Sequence, residues 1–252
     1  MKPKYKYASI ILVHYSLVDD YGGKKAWADQ DSRSQMLKDS INSIVENTSY
    51  PAELIVMDNG GNPDDSEYLL DLARRGVITT YVRYGNNMQY AFAHNQGAKL
   101  ATGDYLVFTC NDVTVKPNWL KECVRMIEQN NDRRLVATPL IVSHIHPKYN
   151  QEKIGNDRIN PFAGSNCMVM NRRAWRELGE LHVYSDFGNQ WFREKVLRWG
   201  YKSIAPPENL AEHLANHRGL NWRQQVKIVK TLLNKKEINF DESLNNKERT
   251  DI

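Results

Sequence analysis

Two runs of large apolar side chains end in acid. ELIVMDNGG closes on Asp58-Asn59, and YLVFTCND closes on Asn111-Asp112. A third apolar run, ASIILVH, ends at His14-Tyr15-Ser16. A carboxylate at the end of a buried strand has two plain uses: it starts a turn, as Asn59-Gly60 suggests, or it grips a cation. Magnesium and manganese are held by one or two carboxylates together with phosphate oxygens. Two such acids at one crevice would therefore suit a divalent cation on a phosphorylated ligand. Phosphate would have to be met this way, because no G-x-G-x-x-G follows the first apolar run and no G-x-x-x-x-G-K-[ST] loop is present. His213 and His217 stand at i, i+4 in EHLANH, a spacing that suits a metal pair and equally a polar helix surface.

Those residues need a scaffold, and periodicity predicts one. Ala8–His14 is a continuous β-rich run, as expected of a strand buried on both faces; Glu53–Met57, Val77–Arg83, Tyr105–Thr109, Leu135–Val142 and Cys167–Met170 read the same way. Between them, Ile41, Ile44 and Val45 recur at helical spacing. Asp64 and Asp65 mark a helix start, with Gly76 at its end. Tyr90–Leu100 is a helix rich in small residues, and Asn118–Gln129 is amphipathic with Leu120, Val124 and Ile127 on one side. Residues 16–34 are polar and are expected to form a loop. This alternation predicts an α/β fold on an open, mostly parallel sheet flanked by helices. Ligands of such sheets bind beyond the carboxyl ends of the strands, where His14, Tyr15, Asp58, Asn59, Asn111 and Asp112 would lie. Further helices are expected at Arg172–Leu178, Asp186–Trp199 and Asn221–Ile238. The last is basic and amphipathic, suited either to pack on the core or to lie on a membrane surface.

Composition sets the outer limits. With 252 residues, the chain holds one large α/β domain or two small ones. A net charge of +4 fits an anionic ligand or surface, and its dispersed basic residues speak against a nucleic-acid partner. Cys110, Cys123 and Cys167 form no C-x-x-C pair and are expected to be free thiols of a reducing, cytoplasmic setting. No segment approaches eighteen apolar residues, so no membrane-spanning helix is expected; peripheral contact with the inner face through the basic tail helix stays open.

ELIVMDNGGNPDD resembles the E-I-I-V-V-D-N-G-S segment of family 2 glycosyltransferases. NMQYAFAHNQGAKLATGDYLVFTCNDVTVKPNWL resembles their N-x-G-F-A-x-A-x-N-x-G followed by A-x-G-D-Y-L-x-F-L-N-N-D-x-x-V-x-P-x-W-L. AGSNCMVMNRRAWRELGEL is similar, more loosely, to their G-x-x-x-x-I-x-R-x-x-F-x-x-x-G-G-F. The resemblance implies a GT-A fold: one catalytic domain over residues 1–220, with a nucleotide-sugar-binding half in 1–115 and an acceptor-binding half in 116–220, then a basic helix and tail in 221–252.

It also implies roles. The nucleotide-reading aspartate falls on Asp58, and the family's D-x-D falls on Cys110-Asn111-Asp112, which makes Asp112 the ligand of Mn2+ or Mg2+ and leaves Cys110 as a departure. His14, Tyr15, Asn59, Asn87, Asn95 and Asn111 are placed around the donor, although Asn87 and Asn95 serve equally as helix-cap or surface residues. The general base falls on Asp186, also a good helix N-cap. His213 completes the metal or diphosphate site, with His217 its rival. The implied reaction is inverting transfer of a sugar from a nucleotide-diphosphate donor to a hydroxyl of a glycan, lipid-linked or protein acceptor, as in polysaccharide biosynthesis. Two rivals stand beside it: a degenerate, non-catalytic sugar-nucleotide-binding domain, which Cys110 favours, and a nucleotidyltransferase, whose Gly-rich basic first loop is missing.

Overall fold

The computed structural model describes residues 6–16, 30–130, 134–139, 153–154, 157–159, 167–181, 196 and 199–214. All lie within the compact unit Met1–Asn216. In chain order the elements are β1 (Ala8–His14), α1 (Gln30–Asn47), β2 (Ala52–Asp58), α2 (Pro63–Arg74), β3 (Thr80–Arg83), α3 (Tyr90–Leu100), β4 (Tyr105–Cys110), β5 (Val113–Val115) and α4 (Trp119–Gln129). They continue as β6 (Leu135–Ala137), β7 (Lys153–Ile154), β8 (Asp157–Ile159), β9 (Cys167–Asn171), α5 (Arg172–Leu178), β10 (Lys202–Ala205) and β11 (Ala211–His213).

A nine-stranded sheet runs in the order β3-β2-β1-β4-β9-β6-β10-β8-β7, and β11 pairs with β5 in a separate two-stranded ribbon. β3, β2, β1 and β4 are parallel, as is β10 to β6; β9 and β8 run against their neighbours. Every residue of β1 is buried because helices cover both of its faces. Ala8, Ile10 and Leu12 join Leu37, Ile41 and Ile44 of α1 and Leu69 and Leu72 of α2 in one core. Ile11 and Val13 join Ala91, Ala93 and Ala98 of α3 in the other. The period-2 alternation of strand side chains thus explains the unbroken apolar run.

Register then aligns the strand ends. His14 lies opposite Asp58, and Val13 opposite both Met57 and Cys110. With neighbouring strands ~4.8 Å apart, the ends of β2 and β4 sit about 10 Å from each other across β1.

Several expectations shift. The helix expected around Ile41 already begins at Gln30, inside the expected loop, where Asp31 suits a helix N-terminus. Its first turns carry no apolar residue before Met36, which hid it. β3 starts at Thr80, not Val77, because the amides of Val77 and Ile78 close α2 on the Leu72 carbonyl. β5, β7, β8, β10 and β11 were not expected: strands of two to four residues are defined by their partners, not by a pattern of their own. Residues 140–142 of the expected Leu135–Val142 strand, all of the expected Asp186–Trp199 helix except Val196 and Trp199, and the expected Asn221–Ile238 helix lie outside the described residues. The three cysteines are free thiols. Among the described residues, no helix is long and apolar enough to cross a membrane.

Candidate active site

Asp58 ends β2 with no exposed surface, and its carboxylate is fully engaged. Oδ1 accepts the Gly61 amide at 2.8 Å. Oδ2 accepts the Ser66 hydroxyl at 2.5 Å and the Tyr81 hydroxyl at 2.8 Å, with Arg83 Nε 3.7 Å away. Burial, then the Asp58 bond and charge, push the Tyr81 phenol up, so it stays a donor. The turn needs glycines: Gly60 has φ +84, and a Cβ on Gly61 would come within 2.6 Å of His14 Nε2 and 2.9 Å of Asp58 Oδ1.

His14, at the end of β1, is equally enclosed. Its Nε2 lies 3.4 Å from Asp65 Oδ2, an ion-pair contact, and neither ring nitrogen makes a close hydrogen bond among the described residues. Asp65 also accepts Asn62 Nδ2 at 2.7 Å. Burial opposes its charge, yet the neighbouring His14, Ser16 and Ser34 groups outweigh this and hold the carboxyl below its usual value. Tyr15 is partly exposed beside this cluster.

The three asparagines go to different places. Asn59 donates to Asn87 Oδ1 at 3.0 Å and accepts the Met88 amide at 2.8 Å, so it straps the segment before α3 onto the end of β2. Asn95 is buried and uses both amide atoms on Leu181, donating to its carbonyl and accepting its amide, each at 2.8 Å. Asn87 stays exposed at the edge. Its Oδ1 also accepts the Gln89 amide at 2.8 Å. Gln89 holds φ +69 and ψ 152, a conformation that costs a non-glycine residue ~1–3 kcal/mol.

At the end of β4, Asn111 and Asp112 form the turn into β5. Asn111 is partly exposed; the Asp112 side chain keeps 12% exposure. The β5–β11 ribbon decides what meets it. His213 pairs with Val113, Leu214 N donates to Asp112 O at 2.8 Å, and His213 Nε2 comes to 3.1 Å from Asp112 Oδ2. The structure therefore brings together the expected metal pair, Asp112 and His213. His217 and Asp186 lie outside the described residues. Burial first, then the Asp112 charge, push the Cys110 thiol well above its usual range, so it is protonated and a poor ligand for a hard cation.

Among the described residues no group of three His, Cys, Asp or Glu side chains gathers to hold a metal. The pair still fits a divalent cation shared with a phosphorylated ligand. Its 3.1 Å separation is close to the ~3.0 Å edge of an octahedron with ~2.1 Å bonds. A carboxylate with an imidazole suits manganese better than magnesium, which prefers oxygen alone.

Two further residues were not singled out by sequence. Arg33 lies in the stripe Arg33-Leu37-Ile41-Ile44 of α1 and is 8% exposed. Lower on that helix, Ser40 donates to the Cys110 carbonyl, and Ser34 contacts Asn62. Its i, i+4 spacing from Leu37 was the available signal. Gln89 is the second, marked only by its departure from the glycine of N-x-G. His94, buried in α3, bridges Tyr90 O at 3.1 Å and Thr109 O at 3.0 Å; burial pulls its pKa down to about 4, although both carbonyl contacts act the other way.

The model of glycosyl transferase family 2 matches residues 32–199. The chain belongs to glycosyl transferase family 2. This family 2 chain is 27% identical over 107 residues to a hyaluronan synthase of Pasteurella multocida, covering 42% of the chain and 11% of that protein. It is 23% identical over 175 residues to protein CgeD of Bacillus subtilis (strain 168), covering 64% of the chain and 39% of CgeD. It thus spans well under half of the curated relatives it matches. Among solved structures it superimposes on the mannosyltransferase PcManGT from Pyrobaculum calidifontis in complex with GDP-Man and Mn2+, with a TM-score of 0.64, 16% identity, and coverage of 86% of this chain and 59% of that one. GalNAc-T7 with UDP, GalNAc and Mn2+ gives 0.61 at 17% identity over 83% and 44% of the two chains. TarS of S. aureus gives 0.60 at 12% identity over 81% and 36%. At such identities the likeness establishes the GT-A fold alone.

Proposed function

We propose that this family 2 chain is an inverting glycosyltransferase that moves a sugar from a nucleotide-diphosphate donor to an acceptor hydroxyl. The observation that carries the reading is the β5–β11 ribbon, which sets His213 on Asp112 at the carboxyl edge of the parallel strands. Asp112 and His213 would hold Mn2+, which when bound supplies Lewis-acid stabilisation of the diphosphate leaving group. Arg33, nearly buried in the first turns of α1, would offer a cation to the diphosphate. Asp58, being enclosed, orders the Gly60-Gly61 turn and the Tyr81–Arg83 edge on which the nucleoside end of the donor would rest. Tyr15, Asn87 and Asn111, which keep exposed surface, would border that space, with His14 and Asn59 buried behind them. Asp186 is the proposed base that takes the proton from the attacking hydroxyl, a role worth about 10²–10⁴-fold. The acceptor is proposed to be a glycan, lipid-linked or protein hydroxyl, with the basic 221–238 segment available for peripheral membrane contact.

The test incubates the full chain with a panel of UDP- and GDP-sugars and Mn2+, following nucleoside diphosphate release. Turnover that falls to background in Asp112→Asn and Asp186→Asn supports the reading; absence of both binding and turnover across the panel sinks it. Cys110, a protonated thiol where the family pattern has an acid, favours a second reading, a non-catalytic donor-binding domain. That reading expects binding across the same panel with no turnover.

A further inference from the structure

We propose that Gln89 is a donor-contacting residue that discriminates among nucleotide-sugars through their hydroxyl groups. The inference rests on the donor reading above and adds to it a residue that decides which donor is held.

Gln89 carries a side chain where the backbone favours none. Its φ of +69 lies in the region that suits glycine, and the family pattern N-x-G has glycine at this place. The conformation is imposed from three sides. The Gln89 amide donates to Asn87 Oδ1 at 2.8 Å, Asn59 binds that same oxygen at 3.0 Å, and the Gln89 carbonyl accepts the Ala93 amide at 3.2 Å as α3 begins. A glycine would keep these bonds with less strain, because the two that involve residue 89 use only its backbone.

The side chain has no internal task that repays the strain. It is exposed, and its side-chain amide makes no bond that caps α3. Nor does it contribute to either core. What it has is a position. The Asn59–Asn87 strap ties the residues just before it to the end of β2. Tyr90, the next residue, reaches the Cys110 thiol, and His94 one turn on meets the Thr109 carbonyl, both at the end of β4. Gln89 therefore stands over the end of β1, between the strands that carry Asp58 and Asp112.

A primary amide offers one acceptor oxygen and two N–H donors without charge. That suits adjacent hydroxyls, which both donate and accept, better than phosphate or a metal ion. In a nucleotide-sugar such hydroxyls occur on the ribose and on the transferred sugar, and strain held at a ligand edge is a common mark of a binding residue.

The test compares wild type with Gln89→Gly and Gln89→Ala as full-length proteins in Mn2+. Binding of UDP, GDP, their 2′-deoxy forms, and UDP- and GDP-hexoses is measured by calorimetry, alongside thermal unfolding and steady-state kinetics. Gln89→Gly raises the unfolding temperature, Gln89→Ala leaves it near wild type, and both weaken donor binding about three- to tenfold, the worth of a neutral hydrogen bond. KM rises while kcat holds. A ribose contact shows as a loss with UDP or GDP that disappears with the 2′-deoxy forms; a contact to the transferred sugar shows only with the nucleotide-hexoses. Unchanged affinity and KM for every probe in both variants overturns the assignment while leaving the donor reading intact. Failure of wild type to bind any probe removes both.

Discussion

Asp58→Ala separates an aspartate that braces the fold from one that only touches a ligand. In the structure its carboxylate takes three hydrogen bonds, from the Gly61 amide and the Ser66 and Tyr81 hydroxyls, with no exposed surface. Truncation orphans those three donors, and a buried unsatisfied donor costs ~1–3 kcal/mol. The two hydroxyls recover part of this: Tyr81 already lies 3.4 Å from the Ser66 carbonyl and can turn to it. The net loss is then about 3 kcal/mol. For a domain of this size, that lowers the unfolding temperature by roughly 6–12 °C. Tyr81→Phe removes one of the three bonds and should cost about 1–2 kcal/mol. Because both changes delete the same contact, the double variant should be less destabilised than the sum of the singles. Urea unfolding of the four proteins measures all of this. If Asp58→Ala unfolds within about 0.5 kcal/mol of wild type, the bracing role is refuted and the carboxylate must be held for a ligand alone.

Gly61→Ala should lose about 2–3 kcal/mol by urea unfolding, since its new methyl meets enclosed His14 and Asp58 side chains that have nowhere to move. Asn95→Ala should cost about 2 kcal/mol by breaking both bonds to Leu181 while leaving donor KM unchanged; a raised KM at full stability would return Asn95 to the ligand. His213→Ala should weaken the apparent Mn2+ affinity of transfer by at least the ~10–100-fold that loss of an outer-shell partner costs, read from a Mn2+ titration of turnover. His94 is held with its pKa down at about 4, against 6.5 for an ordinary imidazole, so the unfolded chain binds its proton first as pH falls. Its contribution is intact above pH 6.5 and drains away between there and about 4, by about 3 kcal/mol in all; His94→Gln should flatten the slope of stability against pH across that window.

The parts legible in sequence are those whose neighbours are fixed by periodicity. ASIILVH, LIVM and YLVF gave the central strands because both faces of each are covered, and NMQYAFAHNQG and PNWL gave the helices that follow. The family pattern also put Asp112 and His213, with His217 as its rival, at one expected site, and His213 does lie 3.1 Å from Asp112. What stayed hidden depends on where a side chain turns once the chain is folded. An asparagine looks the same in sequence whether it straps a loop, as Asn59 does, or clamps a distant backbone, as Asn95 does on Leu181. Asp58 read as an acid offered to a ligand, yet two residues with no acidic or basic signature, Ser66 and Tyr81, absorb it. AEH at Ala211–His213 has no strand signal; it becomes β11 because β5 offers it an edge.

That borrowed edge has a consequence for synthesis. The imidazole and the carboxylate of the proposed metal pair are separated by 101 positions along the chain. The first half of the chain can emerge from the ribosome and begin to assemble its parallel strands well before residue 213 exists. A nascent or prematurely terminated product would therefore present Asp112 without its partner. On the proposed reading, competence would arrive late, when β11 docks on β5, so incomplete chains would not spend activated sugars.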